Sequence, residues 1–222
     1  GVAGLLRKHG VVVLQGTARF VGPGALAVAG PDGAETAVAA ANVIVATGSR
    51  SRPFPGLEVD GRRVLTSRHA VRLDAVPGRL LVMGAGAVGM EFAYVYRAYG
   101  AEVTVVEMAG SVLPLEDPEA GALVAKHFAK SGIDIRTGTR VESAEVAGDV
   151  VRLTVSRDGA AEVLEGDQVL VAIGRVPNTE NLGLEAAGVA VTERGWIQVD
   201  AECRTSAPGI YAIGDVAGPP ML

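Results

Sequence analysis

An α/β fold built on parallel strands is what this sequence predicts, and three features carry that prediction. The apolar run Leu80-Leu81-Val82-Met83 leads into Gly84-Ala85-Gly86-Ala87-Val88-Gly89, and Met90-Glu91-Phe92-Ala93 follows at helical spacing. A second run, Val103-Thr104-Val105-Val106, ends on Glu107, 23 positions after Gly84. Two further runs echo each other, VIVATG at 43–48 and VLVAIG at 169–174, each closing on a glycine. Strand, glycine turn, helix and strand in that order make a βαβ unit, whose two strands are parallel.

The glycine turn has chemistry as well as geometry. Gly84 permits the tight turn, Gly86 lets the backbone approach a diphosphate, and Gly89 lets helix and strand pack closely. The diphosphate then meets unpaired amides at the positive end of the helix. Glu107 accepts hydrogen bonds from the ribose hydroxyls of an adenosine and repels a 2′-phosphate. No Arg or Lys occurs in Met108-Ala109-Gly110-Ser111, so the site is expected to take NAD and not NADP. A plain tight turn accounts for a lone glycine, but not for three at this spacing with an acid after the next strand.

Composition narrows the function classes. The 222 residues are 49% hydrophobic with 30 glycines and only 4% aromatics, which suits a buried core with many tight turns. The formal charge of −5, with no basic cluster, argues against a nucleic-acid partner. No apolar run approaches the ~18 residues needed to cross a bilayer, so no membrane partner is expected. The single cysteine excludes an internal disulfide and suits a reducing compartment, so the expected location is the cytoplasm. The chain begins at Gly1 and ends at Met221-Leu222 without a closing element, which is expected of a piece of something longer.

Along the chain, residues 2–9 read as a short helix and Val11–Leu14 as a strand. Residues 16–33 read as a β-meander, and 41–48 as a short buried strand ending on glycine. Residues 57–78 connect, with a short helix near Ser67–Leu73. From Arg79 the βαβ unit runs through a helix at 88–99 and the strand Glu102–Val106. An amphipathic helix at 119–130 follows, with Leu123, Val124 and Phe128 on one face. Then come a short strand at 133–136, an antiparallel meander at 141–164 and a buried strand at 168–174. Strands at 197–199 and 210–213 close the chain and rejoin the first unit. The layout is the back half of one dinucleotide fold around a nearly complete second one.

These motifs resemble a known family. ANVIVATGSR at 41–50, GAGAVGMEFAYVYRAYGAEVTVVE at 84–107, LPLEDPE at 113–119, AIGRVPNTENLGLEAAGV at 172–189 and RTSAPGIYAIGDVAGPPML at 204–222 carry the likeness. The chain is similar over its whole length to the pyridine-nucleotide disulfide oxidoreductases, and most to their dihydrolipoamide dehydrogenase branch. The resemblance implies a Rossmann-like NAD-binding domain with a β-meander, inserted in a partial FAD-binding domain of the same type. The corresponding boundaries are 1–76 and 196–222 for the FAD-binding part and 77–195 for the NAD-binding domain.

The resemblance also implies roles. Gly84, Ala85, Gly86, Ala87, Val88 and Gly89 bind the NAD diphosphate, and Glu91 lies near the nicotinamide riboside. Glu107 holds the adenine ribose, Val141 lies against the adenine, and Gly174 lines the nicotinamide side. Thr47, Gly48 and Ser49 flank the nucleotide part of FAD, and the backbone of Ala18 touches its adenine. Asp215 accepts a hydrogen bond from a ribityl hydroxyl, while Met221 and Leu222 begin a stretch along the flavin. The family oxidises a dihydrolipoyl group on an acyltransferase partner, using a pair of cysteines four residues apart and a His-Glu pair, and it acts as a homodimer. This sequence has one cysteine, Cys203, and scattered histidines at 9, 69 and 127. No catalytic residue and no metal ligand is therefore assigned within it. The chain alone is expected to be inactive, colourless and weakly self-associating. Two other readings stay open: a non-catalytic NAD-binding core, and a related NADH oxidase or disulfide reductase.

Overall fold

The computed structural model describes residues 1–221. The chain opens with α1 (Val2–Lys8), which buries none of its residues. The expected strand at Val11–Leu14 does not form: these residues join no ladder and all four are exposed. Their β-branched composition favours extended backbone, but a strand needs a paired neighbour, and none of the described residues supplies one. An antiparallel meander follows, β1 (Thr17–Gly22), β2 (Ala25–Ala29) and β3 (Glu35–Ala39). Next come β4 (Val43–Val45) and β5 (Ser49–Ser51).

The middle of the chain holds β6 (Val64–Leu65), α2 (Ser67–Ala70), β7 (Arg79–Met83), α3 (Ala87–Ala98), β8 (Glu102–Val106), α4 (Pro118–Lys130) and β9 (Asp134–Arg136). The antiparallel strands β10 (Arg140–Ala147), β11 (Val150–Arg157) and β12 (Ala160–Gly166) come next, then β13 (Gln168–Val171). The chain ends with β14 (Arg175–Pro177) and β15 (Ile210–Ala212). The expected strand at 197–199 reduces to a single bridge between Val191 and Ile197.

Two compact units result, one from Ser51 to Arg175 and one from Gly1–Arg50 with the chain from Val176 onward. The sequence reading divides the chain at 76/77 and 195/196 instead. Residues 51–76 fall in the central unit because Val64 and Leu65 pair in parallel with Val169 and Leu170 of β13. Residues 176–195 fall in the other because Leu184, Ala187 and Val189 share a core with Ile197, Ile210 and Ala212.

The central unit is a Rossmann-type α/β layer structure. Its parallel sheet has the order β6-β13-β7-β8-β9. Alternation assigns each strand residue a side. Leu80, Val82, Val103, Val105 and Leu170 face α3, where Met90, Ala93 and Tyr96 complete one core. Leu81, Met83, Val106, Val169 and Val171 face the β10–β12 meander, where Val151, Leu153 and Val155 complete another. Strands covered on both faces need apolar residues at every position, which is why β7 reads as an unbroken apolar run. Helix α4 begins where Asp117 accepts hydrogen bonds from the amides of Glu119 (2.8 Å) and Ala120 (3.4 Å), with Pro118 in its first turn. Of its expected apolar face, Val124 and Phe128 pack inward, while Leu123 is exposed.

The other unit has a smaller frame. Strands β4 and β15 run parallel, with Val43 to Val45 opposite Ile210 to Ala212. The β1–β3 meander joins this core through Phe20, whose amide donates to the carbonyl of Leu182 (2.7 Å).

Candidate nucleotide sites

In the central unit the strand order reverses between β7 and β13. In open α/β sheets ligands bind outside the carboxyl ends of the strands at that point. The carboxyl end of β7 carries the turn 84–89, and hydrogen bonds to its neighbours fix it there. The Gly84 amide donates to Val106 (2.8 Å), the Ala172 amide to Met83 (2.8 Å), and the Leu113 amide to Ala85 (2.8 Å).

The three glycines have different reasons to be glycine. Gly84 has φ +102°, and a Cβ there would stand 2.4 Å from the carbonyl oxygen of Ala172. A Cβ on Gly89 would stand 1.9 Å from the carbonyl oxygen of Gly84. Packing therefore demands both. Gly86 is unlike them. Its φ of −73° and ψ of 179° suit any residue, and a Cβ there would meet nothing within 4 Å. The fold makes no use of that glycine.

Gly86 caps α3, and among the described residues no side chain bonds to the helix's first amides. The amides of Gly86, Ala87 and Val88 donate to nothing among the described residues, whereas that of Met90 reaches Gly86 (3.0 Å). Glu107 stands directly after β8 and bends back to the turn. Its Oε2 accepts from the Ala85 amide and its Oε1 from the Ala109 amide, each at 2.7 Å. Each oxygen keeps a lone pair for a further donor. The side chain of Glu91, exposed on α3, makes no ion pair or hydrogen bond among the described residues. Val141, the second residue of β10, follows two positions after Thr139, whose amide donates to the Glu107 carbonyl (2.9 Å). Gly174, with φ +111°, is exposed just past β13.

Sequence reasoning missed three groups here. The Ala109 amide and the buried Thr139 hold Glu107 in place, and spacing alone does not show such backbone contacts. Arg52 lies beside Gly174, to whose carbonyl its amide donates (2.9 Å).

In the other unit, the carboxyl ends of β4 and β15 lie side by side. Thr47, Gly48 and Ser49 follow one, and Asp215 follows the other within a 3₁₀ turn at Gly214–Ala217. The Ser49 hydroxyl donates to Asp215 Oδ2 at 2.6 Å. Gly48 has φ +70° and open space where a Cβ would be. Asn178 links the two halves of this unit. Its side chain donates to the Thr47 carbonyl (2.9 Å), its amide to Gly48 (3.0 Å), and its own carbonyl accepts from the Thr47 hydroxyl (2.8 Å). Arg50 adds a bidentate pair with Glu180 at 2.8 and 2.6 Å, which holds the guanidinium pKa above its ordinary value. The motifs ATGSR and VPNTE thus form one knot. Ala18, exposed on β1, and Met221, near the end, share no hydrogen bond with it. Leu222 lies outside the described residues.

No group of three or more metal-ligating side chains occurs among the described residues. No helix among them is long and apolar enough to cross a membrane.

Comparison with known proteins identifies the family. A dihydrolipoyl dehydrogenase of Thermus scotoductus is 47% identical over 225 residues, covering all of this chain and 48% of the relative. A dihydrolipoamide dehydrogenase of Chaetomium thermophilum is 44% identical, with 100% and 45% covered. The crystal structure of LpdA from Mycobacterium tuberculosis matches with a TM-score of 0.90 at 36% identity, over 100% of this chain and 49% of that one. The HOCl-induced flavoprotein disulfide reductase RclA of Escherichia coli matches with a TM-score of 0.83 at 30% identity, over 100% and 51%. The chain thus spans about half the length of the relatives it matches. The family model described as pyridine nucleotide-disulphide oxidoreductase matches residues 1–222, and the chain belongs to that family.

Proposed function

We propose that the central unit binds NAD(H) at the 84–89 turn, and that this chain forms the nucleotide-handling part of a dihydrolipoyl dehydrogenase. One observation carries the reading: Gly86 is a glycine that the fold does not need. A backbone without a Cβ at that point, beside free amides at a helix start, is what a diphosphate requires for close approach. Ala87 and Val88 supply further amides, and the helix dipole adds roughly half a positive charge. Glu107, already fixed by two amides, offers its remaining lone pairs to the adenine ribose diol. Val141 lies toward the adenine, while Glu91 and Gly174 face the nicotinamide half.

The other unit fits part of an FAD site. Thr47, Gly48 and Ser49 border it, Asp215 meets a ribityl hydroxyl, and Ala18, Met221 and Leu222 complete its edge. The Ser49 hydroxyl donates to Asp215 and helps to orient the carboxylate. When bound, the flavin supplies the redox chemistry between a dithiol and NAD. In the full reaction, protein-bound dihydrolipoamide loses two electrons and two protons, and NAD⁺ becomes NADH with release of one proton. Forming an intramolecular disulfide takes two thiols, and this chain has only Cys203. Its share is therefore to bind and orient nucleotides. For the full-length protein, a lipoyl-bearing acyltransferase as partner, a homodimer and a cytoplasmic location complete the proposal, while this chain alone self-associates weakly.

The test is Gly86→Ala. Thermal stability should hold or rise slightly, because the site tolerates a Cβ. NADH affinity, read by fluorescence titration, should fall by about tenfold or more. Unchanged affinity in a folded variant would remove the turn from the nucleotide site.

A further inference from the structure

We infer that Arg52 is a specificity-determining contact of the NAD site, a cation that pairs with the phosphate on the nicotinamide side of the dinucleotide. The inference rests on the nucleotide reading above and assigns a partner which the glycine motif does not provide.

The glycine turn has a charge problem. A bound dinucleotide brings two negative charges on its diphosphate, yet residues 84–96 contain no Lys or Arg. The one charged residue in that stretch is Glu91, which is exposed on the same helix and carries the wrong sign. Amides and the helix dipole offset part of the charge, and a cation from another element would offset more of it.

Arg52 is placed to supply it. Its amide donates to the Gly174 carbonyl at 2.9 Å, which anchors it at the carboxyl end of β13. Its Nε stands 3.8 Å from where a Cβ on Gly174 would be. Gly174 is in turn two residues beyond Ala172, whose carbonyl borders Gly84. Arg52 thus shares the sheet edge, and the side of the β7–β13 crevice, toward which the nicotinamide half extends.

The guanidinium is also uncommitted. Arg79 pairs with Asp167, and Arg136 with Asp134 and Glu162, but the exposed side chain of Arg52 has no ion pair or hydrogen bond among the described residues. A planar fork of donors beside an open glycine suits a phosphate oxygen pair.

The experiment titrates NADH, ADP-ribose and AMP against the chain and its Arg52→Ala and Arg52→Lys variants, with circular dichroism as the folding control. Arg52→Ala should bind NADH and ADP-ribose about tenfold more weakly, the loss typical of a charge-assisted hydrogen bond. AMP, which lacks the nicotinamide-side phosphate, should bind as before. Arg52→Lys should recover part of the loss, and the salt dependence of NADH binding should be shallower in the alanine variant. If NADH binds the unsubstituted chain and Arg52→Ala equally, this inference alone falls. An equal loss for AMP places the cation at the adenylate end and also overturns it. If the unsubstituted chain binds no NADH, the nucleotide reading falls with it.

Discussion

The runs that pass through β13 and β4 are almost the same, VLVAIG at 169–174 and VIVATG at 43–48, yet their surroundings differ. Strand β13 is paired on both sides, to β6 and to β7, and its Val169 and Leu170 are fully buried. Among the described residues strand β4 pairs with β15 alone, and Ile44, the counterpart of Leu170, is 62% exposed. Local sequence sets the conformation of both strands, but the neighbours decide how much of each is hidden from water. The central unit closes two cores around its sheet, while the other leaves Ile44, Ile213 and the 11–14 run in solvent.

Amide hydrogen exchange should show the largest difference. The β13 amides lie inside a cooperative core, and opening them costs a large share of the unit's stability. The β4 amides have one flanking strand and should open locally. We expect about a thousandfold slower exchange for Val169 to Val171 than for Val43 to Val45. Comparable rates would mean that the two-stranded pair is held as firmly as the five-stranded sheet.

Paired truncations should repeat the contrast in stability. Leu170→Ala removes buried methyl groups from a filled core and should cost about 2–5 kcal/mol. Ile44→Ala removes solvated atoms and should stay within about 0.5 kcal/mol. A large loss from Ile44→Ala in thermal melts would show that its exposed face is in fact covered.

The same contrast explains what was legible in the sequence. Gly84, Gly86, Gly89 and Glu107 are close in sequence and joined by one βαβ geometry, so spacing alone anticipated that they sit together, with Glu107 bonded back to Ala85. Leu123 on α4 and the strand expected at Val11–Leu14 look apolar in sequence, but their burial depends on elements distant in the chain. Arg52 was invisible for a related reason. Only the bond between its amide and Gly174, 122 positions away, brings it to the crevice. The compact units divide at other positions than the expected domains partly because the two-residue strand β6 is too short to announce its pairing with β13.

The acids at the two strand ends give a third comparison. Glu107 accepts from two backbone amides, and Asp215 accepts from a side chain, the Ser49 hydroxyl. Glu107→Gln keeps one acceptor and turns an NH₂ toward an amide donor, so the turn loses a clamp and the ribose loses an anion. NADH affinity should fall about tenfold, and NADPH affinity much less, because the repulsion of a 2′-phosphate disappears too. The informative quantity is the ratio of the two constants. An unchanged ratio would detach Glu107 from the ribose, whatever happens to the absolute values.

The smallest expected effect sets Asp60 of the central unit against Asp200 of the other. Burial pushes the Asp60 carboxyl up, but hydrogen bonds from the amides of Val64, Arg62 and Arg63, at 2.7–2.8 Å, more than reverse it. Asp200 is lowered chiefly by the Arg204 side chain (2.7 Å), then by the amides of Arg204 and Glu202. Both folded-state values thus lie below the unfolded one, near 4. Each acid therefore contributes stability that is complete above about pH 4 and is lost as pH falls through the lowered value. Asp60→Asn and Asp200→Asn should each flatten the acid limb of stability against pH. Salt separates them. The exposed Asp200–Arg204 pair is screened, so its contribution should shrink in high salt, whereas the neutral amides around Asp60 should keep theirs. Equal salt sensitivity in the two variants would mean that a cation, and not the backbone, sets the Asp60 value.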